Sequence, residues 1–357
     1  MRHVRALMLS VAMIALMLSC GGYIILRELR TPASMSATPV EIEIAPGDSA
    51  SRIATTLRTN GLIRQPIFFT ALVRYKDLDQ SLQAGRYVLR PNMNVSEILI
   101  ALQNNRVDEA SVTIPEGLRI EEVAGLIAAA DLELVDEQSF LETARNGAAF
   151  KDDYFLLSSL PDDASLEGYL FPDTYRIAST ATVTEVVELM LDRFDEQYSS
   201  IERDIRVPDV TVHEVVTMAS IIQREAALVE EMPQIAAVFW NRLEPENAGE
   251  TGGGKLQADP TVQYALGYSV NEETWWRKDL TVADLQIDHP YNTRERTGLP
   301  PGPISNPGLA ALTATAQPDE SAEYLYFVAS CAKDGSHNFA ATFEEFQRYQ
   351  SDFQACQ

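Results

Sequence analysis

Between Val40 and Ala129 the chain repeats one short plan in outline: a brief strand, a turn containing proline, and an amphipathic helix. Val40 to Ile44 alternates as a strand does, Pro46-Gly47-Asp48 turns, and Ile53, Ala54 and Leu57 mark the inward face of a helix entered near Ser51. Gly85 to Leu89, Pro91-Asn92 and Val95 to Leu102 follow the same order, and so do Ser111 to Ile114, Pro115-Glu116-Gly117 and Ile120 to Ala129. Strands this short, each followed by a helix, imply small α+β units rather than a doubly wound parallel sheet. The spacing is uneven, so the pattern is not a solenoid.

Ahead of these units, Arg2 and Arg5 precede Ala6 to Leu26, an uncharged apolar run. About twenty residues suffice to cross a bilayer as a helix, and a cleaved signal has a shorter apolar core. The expectation is a single uncleaved span with its short basic end cytoplasmic and the bulk of the chain exported. Met17-Leu18-Ser19-Cys20-Gly21 also outlines a lipoprotein processing site, with a poor fit before the cysteine. Residues 1–30 are thus read as the cytoplasmic end and membrane helix. Residues 31–39, rich in Ser, Thr, Pro and Ala, are read as a linker.

Charge narrows the partners. With 28 Lys and Arg against 52 Asp and Glu, the net charge of -24 repels phosphate backbones and argues against nucleic acid. Several chemical motifs start and fail. His213-Glu214 opens a metalloprotease-like HExxH, but Thr217 stands at the second histidine position. Gly249 to Lys255 has phosphate-loop spacing, yet Leu256 replaces the magnesium-binding hydroxyl and a helix pattern precedes the loop. No GxSxG occurs, and the cysteines and histidines have no zinc spacing. Cys331 and Cys356 are available to pair if the domain is exported.

The longest helical pattern after the N-terminus runs from His213 to Leu243, with Pro233 placed for the first turn of a second helix beginning near Gln234. Val215, Ala219, Ile222 and Ala226 form an apolar face, and Glu225 lies on its flank. If the helix runs through, Ile221, Ile222, Leu228 and Val229 ring the carboxylate, and no basic residue is spaced to pair with it. Desolvation then raises its pKa and keeps it a proton donor near neutral pH. The plain alternative is a helix-edge acid that reaches into water.

Elsewhere, residues 130–165 read as helical and acidic, Val183 to Tyr198 as a helix, and Glu244 to Lys255 as a flexible polar loop. Asp284 to Pro307 is long, irregular and rich in Pro and Gly, the kind of loop that carries function. Tyr324 to Ala329 reads as a buried strand and Phe343 to Phe353 as a closing helix.

Two resemblances add to this reading. The stretch APGDSASRIATTL, residues 45–57, resembles the Gly-Asp-(Ser/Thr)-x-x-x-Ile-Ala opening of glycan-binding LysM modules, although Asp48 or Ser49 also suits a simple helix cap. The second resemblance is longer. It rests on Glu167 to Tyr175 (EGYLFPDTY), Ala219 to Glu225 (ASIIQRE), Val238 to Leu243 (VFWNRL), Leu256 to Val262 (LQADPTV), Tyr291-Asn292-Thr293, Gly298 to Ile304 (GLPPGPI) and Tyr324 to Val328 (YLYFV), in that order. Together these resemble the YceG-like family of endolytic murein transglycosylases.

That resemblance implies a LysM-like α+β subdomain over residues 40–106 and a mixed α+β YceG-like catalytic domain over 107–357. It implies a protein of the bacterial cytoplasmic membrane whose exported part cuts peptidoglycan glycan strands internally, without metal or cofactor, beside peptidoglycan synthases. The family's catalytic acid maps onto Glu225. Gln223 replaces a second glutamate usual in that segment, and Arg294 stands where an aromatic often follows Tyr-Asn-Thr. Gln257, Asp259, Tyr291, Asn292 and Thr293 are the candidate substrate contacts. Asp259 equally suits an Asp-Pro helix start, and the neutral groups equally suit loop bracing. A muramidase-type hydrolase and a non-catalytic glycan-binding scaffold are the rival readings.

Overall fold

The computed structural model describes residues 27–45, 47–79, 81–103 and 109–356. The expected membrane span lies outside them, and among the described residues no helix is long and apolar enough to cross a membrane. The chain divides into two compact units, one ending at Glu109 and one beginning at Ala110.

In the first unit, β1 (Val40–Ile44) leads into α1 (Ala50–Thr59), α2 (Pro66–Tyr75), β2 (Gly85–Leu89) and α3 (Val95–Gln103). The strands do not found separate strand-turn-helix units, as the recurring plan suggested. They pair with each other, antiparallel, with Val40 opposite Leu89 and Ile44 opposite Gly85. Alternation then turns Ile42, Ile44, Tyr87 and Leu89 inward onto Ile53, Leu57, Phe69 and Leu99 of the helices. Each large apolar side chain buried there contributes about 1.5–3 kcal/mol. Ser49 caps α1 by accepting from the Arg52 N–H, and Asp48 accepts from the Ala45 N–H and pairs with Arg52. Helix α2 went unread in the sequence, although Pro66 at its start marks it.

The second unit begins with β3 (Glu109–Thr113), α4 (Ile120–Ala128) and α5 (Glu137–Ala144). Its strand partner is β4 (Thr174–Ala178), which emerges from the aromatic segment at Glu167 to Tyr175. Then come α6 (Val183–Ser199), α7 (Val212–Glu225), α8 (Met232–Leu243), α9 (Asp259–Leu266), α10 (Leu309–Ala316), the hairpin β5 (Tyr326–Ala329) and β6 (His337–Ala340), and α11 (Phe343–Ala355). Thr182 with Glu185 and Thr211 with Glu214 form capping boxes that fix where α6 and α7 start. The Glu244 to Lys255 segment, expected as a flexible loop, contains a short helical turn at Ala248–Thr251.

Helix α7 is the centre of this unit. Val215 to Ile222 are all buried, so the helix is covered on every side rather than on one face. It packs against α8 and α10. Its buried polar residues hold the proline-rich loop: the Ser220 hydroxyl accepts from the Ile304 N–H, and the Ser305 hydroxyl donates to the Ser220 carbonyl. Gln223 accepts from the Gly308 N–H just before α10. The Glu167 carboxylate accepts from the Ile120 N–H at the start of α4 and from the Asn306 amide, joining three distant segments. Gly168 is obligatory beside it, with φ at +88°; a Cβ there would lie 2.4 Å from Pro303.

Candidate active site

Glu225 is the last residue of α7, and Ala226 leaves the helix with extended backbone. This corrects the expected ring of aliphatic groups, because Leu228 and Val229 no longer follow one turn on and Val229 is 59% exposed. Enclosure comes instead from other elements. Glu225 opens into a cavity of about 380 Å³ walled by Val238, Phe239 and Arg242 of α8, Leu256, Gln257 and Asp259, Arg294, Leu325 to Phe327, and Phe346 and Gln350 of α11.

Burial raises the Glu225 carboxyl to about 8, and the nearby Asp259 carboxylate pushes in the same direction. Arg294 and a hydrogen bond from the Asp259 backbone N–H pull it back less strongly. The helix end also disfavours the anion, since the last carbonyls of α7 are the negative pole of its dipole. A neutral carboxylic acid facing an open cavity at neutral pH is a group able to donate a proton. A basic residue does lie near it after all, but Arg294 is engaged elsewhere: its Nε donates to Asp259 Oδ1 at 2.7 Å.

The other candidates separate into groups. Gln257 and Asp259 line the Glu225 cavity. Asp259 is both things at once, the first residue of α9 before Pro260 and a side chain on the cavity wall. Asn292 and Thr293 are fully buried braces rather than cavity contacts. The Asn292 amide donates to the carbonyls of Leu285 and Ile287. The Thr293 hydroxyl accepts from the Ala258 N–H and bonds the Thr261 hydroxyl, which fixes the loop beside α9 and carries Arg294 to Asp259. Tyr291 lines a different cavity of about 400 Å³, with Glu167, His213 and Pro303.

Burial raises Glu167 to about 8 as well, but its oxygens already accept from Ile120 and Asn306, so its place is in the framework. His213, excluded as a zinc ligand, bridges Tyr169 and the Pro301 carbonyl. Because a carbonyl only accepts, Nε2 carries the proton there. Among the described residues no group of His, Cys, Asp and Glu is arranged to hold a metal ion.

Two residues of the site escaped the sequence reading as contacts. Arg294 stood out only as a departure from a pattern, and Arg242 only as part of one. Arg242 is 4% exposed, and its guanidinium donates to Lys255 O, Leu325 O and Gln257 Oε1. A basic residue near the end of an otherwise apolar helix was the available signal.

Comparison with known proteins identifies the family. The model of the YceG-like family matches residues 42–352. An endolytic murein transglycosylase of Bacillus subtilis is 32% identical over 346 residues, covering 92% of this chain and 89% of that protein. One from Streptococcus pneumoniae serotype 2 is 32% identical over 373 residues, covering 97% of this chain; the chain spans 65% of that relative's length. The crystal structure of a yceG-like protein from Listeria monocytogenes matches with a TM-score of 0.56 at 33% identity, covering 88% of this chain and all but 1% of that one (99%). The chain belongs to the YceG-like family.

Proposed function

We propose that this protein is an endolytic murein transglycosylase in which Glu225 is the acid and then the base. The observation that carries the reading is the Glu225 carboxyl, raised to about 8 and opening into a cavity of about 380 Å³, while the other carboxylate of that cavity, Asp259, is paired with Arg294. Protonated Glu225 donates to the glycosidic oxygen between N-acetylmuramic acid and N-acetylglucosamine as the bond from the muramic C1 breaks. The muramic 6-hydroxyl attacks C1, and its proton passes to the Glu225 carboxylate. The acid is regenerated, no water is consumed, and a 1,6-anhydro end forms.

A hydrolase normally uses a second carboxylate to activate water or attack the sugar. Asp259 is the carboxylate beside Glu225, and its pairing with Arg294 competes with such a role. Mass spectrometry of the products tests the reading: 1,6-anhydro ends are expected, and reducing ends alone would replace it by a muramidase. The Glu225→Gln variant is expected to lose cleavage while still sedimenting with peptidoglycan. Unchanged cleavage would remove Glu225 from its role.

The same proposal places the catalytic unit outside the cytoplasmic membrane, held by the apolar run at residues 6–26, and near peptidoglycan synthases. The unit from Val40 to Gln103 is proposed as LysM-like, holding the glycan strand or supporting the catalytic unit. Protease accessibility in spheroplasts tests the topology; protection of the region after residue 40 would refute it.

A further inference from the structure

Among the described residues, Gln257 is the one non-glycine residue of the Glu225 cavity with a left-handed backbone, at φ +57°. Asp and Asn tolerate that region through short local hydrogen bonds, and glutamine lacks this advantage. The conformation is held from outside. The Gln257 N–H donates to the Thr293 carbonyl, and the next N–H, of Ala258, donates to the Thr293 hydroxyl. Strain maintained in this way at a cavity wall points to what the side chain does.

The side chain is fixed as well. Arg242 Nη2 donates to Gln257 Oε1 at 2.9 Å, while Nε and Nη1 of the same guanidinium are held by the Lys255 and Leu325 carbonyls. A guanidinium has no acceptor, so the carboxamide must turn its oxygen to Arg242 and its Nε2 away. Gln257 is exposed, and its Nε2 makes no hydrogen bond among the described residues. Arg242, Gln257 and Glu225 wall the same cavity. The donor pair therefore stands beside the acid.

We propose that Arg242 is a positioning residue that locks Gln257 as a donor to the acetamide carbonyl of the sugar bound next to Glu225. The inference rests on the proposed function and supplies an orientation for its substrate. An acetamide carbonyl accepts and never donates, which matches a group that here can only donate. A lysine at 242 could not hold three acceptors in one plane and would release the carboxamide.

The test measures binding rather than turnover, using the full chain carrying Glu225→Gln. The probes are uncrosslinked glycan strands stripped of stem peptides by an amidase, and the same strands after de-N-acetylation. The parent should bind the acetylated strands about tenfold more tightly, the worth of one such hydrogen bond. Adding Gln257→Gly relaxes the backbone, so the Tm should hold or rise while that preference disappears. Adding Arg242→Lys should abolish the preference although Gln257 is present, and the two changes together should cost no more than either alone. A preference that survives Gln257→Gly, additive losses, or no binding to acetylated strands would each overturn the inference. Failure of the proposed function is a separate result, read from wild-type protein that releases no 1,6-anhydro ends.

Discussion

Arg294 Nε lies 2.7 Å from Asp259 Oδ1, so the cation that lowers the Glu225 pKa neutralises a neighbouring carboxylate instead of forming an ion pair with Glu225. The same Asp259 turns its backbone N–H to Glu225. Side chain and main chain of one residue thus act in opposite directions on one proton.

Arg294→Gln removes the charge that lowers the Glu225 pKa and leaves Asp259 unneutralised. The basic limb of the pH–rate profile should move to higher pH. Asp259→Asn keeps the backbone donor, removes the charge that raises the pKa, and should move that limb to lower pH. Profiles of kcat/KM for the two variants check both signs; shifts in one common direction would contradict the arrangement.

Cleavage itself should fall as pH rises through about 8, where Glu225 loses the proton it must donate. The stability effect has a defined sign. The folded pKa lies above the unfolded one, so the native state binds more protons between about 4.3 and about 8. Stability from this source is complete below the lower value and is lost as pH rises through about 8. Glu167, also raised to about 8, acts in the same window. Between about pH 4.3 and about 8, Tm should therefore decline less steeply with rising pH in Glu225→Gln than in the parent.

Gly168→Ala should destabilise the second unit by about 3 kcal/mol, because it combines a disfavoured φ with a Cβ driven into Pro303. Chemical denaturation measures this. A change under 1 kcal/mol, on the order of a surface substitution, would show that the loop yields.

Cys331 and Cys356, which the sequence left unpaired or paired, form a disulfide that ties the end of α11 to the turn after β5. No residue of α11 is fully buried, so packing alone holds the helix loosely. Reduction should cost about 3 kcal/mol in the chain-entropy account and should expose α11 amides to hydrogen exchange first. Since Phe346 and Gln350 wall the Glu225 cavity, KM should rise more than kcat falls. Equal exchange in α11 with and without reductant would refute this.

Sequence alone determined what depends on near neighbours and on motif order. Apolar periodicity marked the bodies of α6 and α7, Pro233 marked the first turn of α8, and the ordered segments around Glu225 pointed to the family. Tertiary structure decided where α7 stops and therefore what surrounds its terminal carboxyl. It also separated Tyr291 from the Glu225 cavity, assigned Asn292 and Thr293 to bracing, and brought Arg242 and Arg294 to the site. The physical reason is range. Periodicity and caps act within a turn or two of helix, whereas desolvation of Glu225 and the pairing of Asp259 with Arg294 depend on groups brought together only when the chain is packed.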